Sequence, residues 1–167
     1  MTDTSHLNIL FLCTGNSARS ILSEALVNDL GRQSASGRRF IGWSAGSHPS
    51  GQPHADGLLE LKARGHSIEG YRSKSWDEFS RAGTYMDIVV TVCDNAANEV
   101  CPVFPGDHIT VHWPAHDPAH VTPLSARQKA FSQVYDLCRA RIEALLALPA
   151  DQLSSQSAVQ AIAAVGA

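Results

Sequence analysis

A chain of 167 residues, 44% of them apolar, fits one domain that buries about two-thirds of the surface its unfolded form exposes. Its formal net charge of −3 offers no basic surface for nucleic acid, and no apolar run approaches the roughly 20 residues needed to span a membrane. The polar start, Met1 to His6, lacks the charged region and apolar core of a secretory leader, so the expected location is the cytoplasm, where thiols stay reduced.

The elements alternate. Leu7 to Leu12 is a short, nearly continuous apolar run, as a strand buried on both faces should be. From Ser17 to Leu30, residues Ile21, Leu22, Ala25, Leu26 and Leu30 recur at helical spacing before the stop at Gly31, which predicts an amphipathic helix. A second strand is expected over Arg39 to Ala45. A second helix follows from Ala55 to Arg64, with Leu58, Leu59 and Leu61 inward and Gly65 closing it. Met86 to Val92, dense in β-branched residues, is the clearest strand, and His108 to His112 reads as a fourth. Leu124 to Leu148 is long, periodic and free of proline until Pro149, so it reads as the last core helix. This order predicts an α/β domain with a parallel sheet over residues 1–149. Residues 150–167 are small, polar and alanine-rich, and read as a loosely attached tail, flexible or partly helical.

Four cysteines stand at Cys13, Cys93, Cys101 and Cys138. No Cys-x-x-Cys pair signals structural zinc, and Pro114 breaks the helical spacing of His112 and His116, so neither metal nor cofactor is expected. The chemistry concentrates in Cys13-Thr14-Gly15-Asn16-Ser17-Ala18-Arg19-Ser20, between the first strand and the first helix. A loop entering a helix N-terminus aims unpaired N–H groups at one point, and the positive end of the helix dipole reinforces them. Such a nest suits a tetrahedral oxyanion. Cys13 sits in that field, which should lower its pKa and make it a thiolate near neutrality. Arg19 offers a planar fork for two anion oxygens, and the Ser20 hydroxyl can bond the sulfur. Gly15 and Asn16 tolerate a left-handed backbone.

The run Leu10 to Ser20 resembles the opening of low-molecular-weight protein tyrosine phosphatases and of the arsenate reductases that share their fold. The similarity continues through Ser44-Ala45-Gly46, Val90-Thr91-Val92-Cys93-Asp94 and His112-Trp113-Pro114 to Asp117-Pro118-Ala119. It implies a three-layer sandwich around a central four-stranded parallel sheet. It also implies a nucleophile at Cys13, an oxyanion clamp at Arg19, a loop of Thr14, Gly15, Asn16, Ser17, Ala18 and Ser20, and a general acid at Asp117. Two departures stand out. Ala18 occupies a place where many relatives carry a second cysteine, and Ala119, His120 and Val121 replace the tyrosines that wall a phosphotyrosine slot.

In arsenate reductases of this type three cysteines relay two electrons. Carried over, Cys13 forms a thiol–arsenate adduct, Cys93 expels arsenite by forming a disulfide with Cys13, and Cys101 takes over the bond to Cys93. Thioredoxin, or glutaredoxin with glutathione, then reduces that disulfide. Seven residues separate Cys93 and Cys101, where some thioredoxin-coupled relatives have six. A helix between them would hold the pair roughly 12 Å apart, beyond disulfide range, so oxidation is expected to unwind that segment. The alternatives are a phosphatase working through a Cys13 phosphoenzyme, and a module that binds or senses an oxyanion without turnover. Cys138 matches no motif and reads as a core residue. Glu24 matches a position that some relatives use near a structural cation, and from the sequence it reads first as an exposed helix-face carboxylate. The basic stretch Arg72-Ser73-Lys74-Ser75 reads as a solvated loop or an element of anion steering. Trp43 and Trp113 read as core aromatics.

Overall fold

The computed structural model describes residues 6–81, 84–93 and 107–166; Cys101, and with it the expected unwinding between Cys93 and Cys101, lies outside the described residues. Four strands, β1 (His6–Cys13), β2 (Arg39–Gly46), β3 (Ile88–Thr91) and β4 (Ile109–His112), form a parallel sheet in the order β2-β1-β3-β4. The two central strands are the most apolar. Ile9 to Leu12 and all of β3 are buried, because helices cover both faces of a parallel sheet.

Five α-helices are described: α1 (Arg19–Leu30), α2 (Ala55–Ala63), α3 (Asp77–Arg81), α4 (Leu124–Leu146) and α5 (Gln156–Ala161). Side chains alternate faces along a strand, and β2 shows which helix covers which face. A Cβ at Gly42 would meet the Glu24 carbonyl at 2.8 Å, so α1 lies against that face. On the other face, Trp43 packs edge-on against Phe79 of α3 with ring centroids 5.7 Å apart. The three-layer α/β sandwich follows.

Three expectations are corrected. Helix α1 is buried almost all round, Ser20 to Val27 inclusive, because it packs on β1 and β2 and is covered in turn by α2 and α4. A helix wedged between a sheet and other helices has no solvent face to mark with polar residues. Leu59 of α2 is exposed rather than inward; Leu61 and Gly57 make the contact. The C-terminal segment does bury apolar surface: Leu153, Val159 and Ile162 join the core, and α5 packs on β4. Leu153 follows a 3₁₀ turn (Ala150–Gln152), and the Ser155 cap separates it from Val159 and Ile162, so the three do not read as one helix face. Helix α3 was not anticipated, although Ser75-Trp76-Asp77-Glu78 carries the Ser-x-x-Glu spacing of a capping box. The Ser75 hydroxyl accepts the Asp77 N–H at 3.2 Å.

Parallel register brings the carboxyl ends together. Cys13 lies opposite Gly46, and Thr91 lies between Leu12 and His112. The loops leaving β1, β3 and β4, which carry Cys13, Cys93 and Asp117, therefore leave one edge of the sheet.

Candidate oxyanion site

The loop after β1 owes its shape to partners that take its carbonyls. His48 N–H donates to the Thr14 carbonyl at 2.9 Å, Ser50 N–H to that of Gly15 at 2.9 Å, and His54 N–H to that of Ser17 at 2.8 Å. In a trans peptide the N–H points opposite to its carbonyl, so the amides of Gly15, Asn16 and Ala18 turn toward the interior of the loop. Helix α1 follows, with Ala18 at its N-cap position, no side-chain cap and no acidic residue in its first turn. Its first N–H groups and dipole are thus left to an anion. The bracing strip after Gly46, rich in Ser, His and Pro, carried no apolar pattern by which its role could be read.

Of the two residues expected to turn the chain left-handed, only Asn16 does so, with φ of 44°. Its side chain holds that conformation from within: Oδ1 accepts the Lys74 N–H at 2.7 Å and Nδ2 donates to Ser20 Oγ at 2.9 Å. The glycine that the loop requires is Gly46. A Cβ there would lie 2.4 Å from the Thr14 carbonyl and 2.8 Å from that of Cys13, so β2 can end against the loop only without a side chain.

Beneath the loop a buried network replaces the exposed carboxylate and solvated basic stretch of the sequence reading. Glu24 is 6% exposed and its Oε2 accepts from the Ser44 hydroxyl at 3.0 Å. The Lys74 ammonium lies 3.5 Å from Glu24 Oε1 and donates to Ser44 Oγ at 3.2 Å and to the Arg72 carbonyl at 2.9 Å. Ser73 Oγ donates to the Gly15 carbonyl. Only Arg72 faces solvent, paired with Glu78. Burial pushes the Glu24 carboxyl up and the Lys74 ammonium down, each opposed by the charge of the other.

Cys13 itself is 3% exposed, and its sulfur lies 2.9 Å from Ser20 Oγ. Burial pushes the thiol up, against the Ser20 hydroxyl and the Arg19 charge that pull it down; Cys93 adds a smaller push upward. The expectation of a thiolate near neutrality is therefore corrected for the open loop: desolvation of the sulfur outweighs the groups that stabilise its charge. Removing the hydroxyl in Ser20→Ala should raise the pKa further and slow iodoacetamide alkylation of Cys13 at pH 7 on the order of tenfold. Alkylation of Cys13 followed by mass across pH 6 to 10 checks this. An unshifted pH curve would mean that the hydroxyl does not stabilise the sulfur anion.

Cys13, Arg19, Cys93 and Asp117 line one open cavity of about 910 Å³, together with Thr14, Gly15, Ser17 and Ala18. Asn16 and Ser20 are fully buried behind it. Arg19 Nη1 donates to the Ala115 carbonyl at 3.1 Å, and Nη2 lies 3.6 Å from the Asp117 carboxylate. Asp117 Oδ1 accepts the Ala119 N–H at 3.0 Å, and its side chain is 39% exposed, so the protein alone does not shield it. Cys93, 6% exposed, lies two residues beyond β3 with its sulfur 3.6 Å from Thr14 Oγ1. The outer walls are Ser50, Gln52, Pro53 and His54 on one side and Ala119 and His120 on the other; no Tyr, Phe or Trp lines the cavity among the described residues. Cys138 is buried in α4, outside this cavity, and Trp113 is buried, while Trp43 is only partly so.

An α/β sheet whose first loop turns backbone N–H groups inward beside a buried cysteine, with arginine and aspartate lining the same cavity, has the geometry of a candidate thiol-centred oxyanion site. Residues 8–159 match the family model for low molecular weight phosphotyrosine protein phosphatases, and the chain belongs to that enzyme family. It is 33% identical over 144 residues to an arsenate reductase of Halalkalibacterium halodurans, covering 81% of this chain and 91% of that one. Among solved structures it is similar to a thioredoxin-dependent arsenate reductase of Corynebacterium glutamicum, at 24% identity and a TM-score of 0.58. That match covers 83% of this chain and 61% of the longer neighbour. It is also similar to an arsenate reductase in its phosphate-binding state, at 22% identity and a TM-score of 0.62 over 84% of this chain and 96% of that one. The two structures share its fold.

Proposed function

We propose that this chain reduces arsenate to arsenite by a cysteine relay. The observation that carries the reading is a second sulfur in the cavity: Cys93 lines it together with Cys13 and meets the loop at Thr14 Oγ1, 3.6 Å away. Hydrolysis of a phosphate ester has no use for it. The Cys13 sulfur attacks arsenic while one arsenate oxygen leaves as water, with a proton from Asp117 and the remaining oxygens on Arg19 and the loop amides. Cys93 then attacks the Cys13 sulfur, and the electron pair of the sulfur–arsenic bond departs with arsenic, which becomes arsenite. Cys101 exchanges into the new disulfide and frees Cys13, leaving Cys93–Cys101 for an external dithiol. Thioredoxin or glutaredoxin with glutathione fills that role, in the cytoplasm. The similarity to a thioredoxin-dependent reductase favours the former.

Arsenite production, followed with thioredoxin and its reductase in one reaction and glutathione with glutaredoxin in another, tests the reading. Sustained turnover with one system is the expected result; none with either, from fully reduced protein, would refute the relay. A second reading rests on the loop itself, whose groups suit phosphate as well as arsenate and whose family is named for a phosphatase. Slow hydrolysis of an aryl phosphate through Cys13 is therefore expected too. The absence of Tyr, Phe and Trp from the described cavity wall argues against a phosphotyrosine substrate.

A further inference from the structure

The C-terminal segment, residues 150–166, holds His112 and Trp113 at the end of β4 directly, and Pro114 through Arg141 of α4. The Gln160 side-chain amide brackets His112: its Oε1 accepts the His112 N–H and its Nε2 donates to the His112 carbonyl, both at 2.8 Å. One side chain thus supplies the bonds of a neighbouring strand to the free edge of the sheet. Trp113 Nε1 donates to the Val159 carbonyl at 3.0 Å. The Pro114 carbonyl accepts from Arg141 Nη1 at 2.8 Å, while Nη2 of the same guanidinium donates to the Ala163 carbonyl at 2.9 Å.

Beyond Pro114 the restraints pass to the oxyanion site. Ala115 N–H donates to the Val92 carbonyl at 3.0 Å, and its own carbonyl accepts from Arg19, the residue facing Asp117. Residues 113–118 form no regular element, so these bonds, with that of Trp113 N–H to the Thr91 carbonyl at 2.9 Å, carry much of their conformation. Arg141 is an expensive way to fill space. It is 3% exposed, no carboxylate pairs with it among the described residues, and its Nε has no hydrogen-bond partner there. A buried cation without a carboxylate partner is retained against its desolvation cost when its fork ties two groups at once. Here those groups are the C-terminal segment and the loop to Asp117.

We propose that residues 150–166 form a clamp that sets the position of Asp117 over the loop, with Arg141 and Gln160 as positioning residues. The proposal rests on Asp117 as the proton donor of the reading above. Loosening the clamp lets the 113–118 segment move off Arg19, and proton delivery suffers while the anion cradle stays whole.

The test uses the full chain with Gln160→Ala, a change at an exposed position, and Arg141→Lys, which keeps the charge but loses the fork. Expected are a fall in kcat for arsenite production of about tenfold, an unchanged KM, and unchanged protection of Cys13 from iodoacetamide by inorganic phosphate. Hydrogen exchange at the Ala119 amide, which is bonded to Asp117 Oδ1, should quicken by a similar factor. In an Asp117→Asn background neither change should lower kcat further, because a positioning effect vanishes with the group positioned. A loss of kcat undiminished in that background, or Ala119 exchange as slow as in the parent, would overturn the clamp. Should the parent make no arsenite, the reductase reading fails, but Ala119 exchange in Gln160→Ala still decides the clamp.

Discussion

Replacing Cys93 by serine should abolish sustained arsenite production while leaving the Cys13 loop competent to bind its anion. The Cys93 sulfur meets the loop at the Thr14 hydroxyl, 3.6 Å away, whereas the loop carbonyls are held by the backbone of His48, Ser50 and His54. Serine fits that place and keeps a hydroxyl there, but it cannot form the disulfide that expels arsenite. Turnover should fall to background, a loss of about a thousandfold or more set by the uncatalysed exchange of the adduct. Phosphate should still protect Cys13 from alkylation. Because Cys93 pushes the Cys13 thiol upward, the variant should also ionise Cys13 at slightly lower pH and alkylate no more slowly than the parent. Arsenite release under thioredoxin coupling and hydrolysis of 4-nitrophenyl phosphate separate the outcomes. Loss of reduction alone supports the relay. Loss of both, with poor phosphate protection, would assign Cys93 to folding and sink it.

Lys74→Met should destabilise the domain by roughly 3–5 kcal/mol at pH 8, the usual cost of stranding one partner of a buried ion pair. In a domain of this size that corresponds to a fall in melting temperature of about 10 °C. Methionine fills the same channel, so packing changes little, but Glu24 loses its partner cation and keeps the Ser44 hydroxyl and the more distant charge of Arg72. The pH dependence fixes the cause. Lys74 holds the Glu24 carboxyl down against burial, so its removal raises the folded-state pKa still further above the unfolded value. A raised carboxyl favours its neutral form in the folded state. The deficit should therefore be smallest below the ordinary carboxylate pKa of about 4.5 and widen as pH rises through the folded-state value. Thermal melts from pH 4 to 8 check this, and Glu24→Gln combined with Lys74→Met should recover much of the loss. A deficit equal at every pH would mean that Lys74 contributes by shape and not by charge.

Much of the site lay open in the sequence because its parts are contiguous. Cys13 to Ser20 sits between an apolar run and a helical period, and backbone geometry at a strand-to-helix junction turns that order into a cradle. Asp117 and Cys93 were legible through family likeness joined to strand endings, since parallel strands deliver their carboxyl ends to one edge. The strand order β2-β1-β3-β4 was not legible, nor was the burial of Glu24 and Lys74. A glutamate on a helix and a lysine in a polar stretch look solvated until packing closes over both.

The primary structure by itself determined the alternation of strands and helices, the anion loop and the residues able to do chemistry there. These depend on spacing, turn chemistry and side-chain type, which are local. Tertiary structure alone decided the burial that pushes the Cys13 thiol up, through elements distant in the chain, and the need for glycine at position 46, where β2 meets the loop. It also decided the docking of residues 150–166 through Gln160, Trp113 and Arg141. Each of these depends on contacts between positions tens of residues apart, and burial and approach distance have no signature in a run of neighbouring residues.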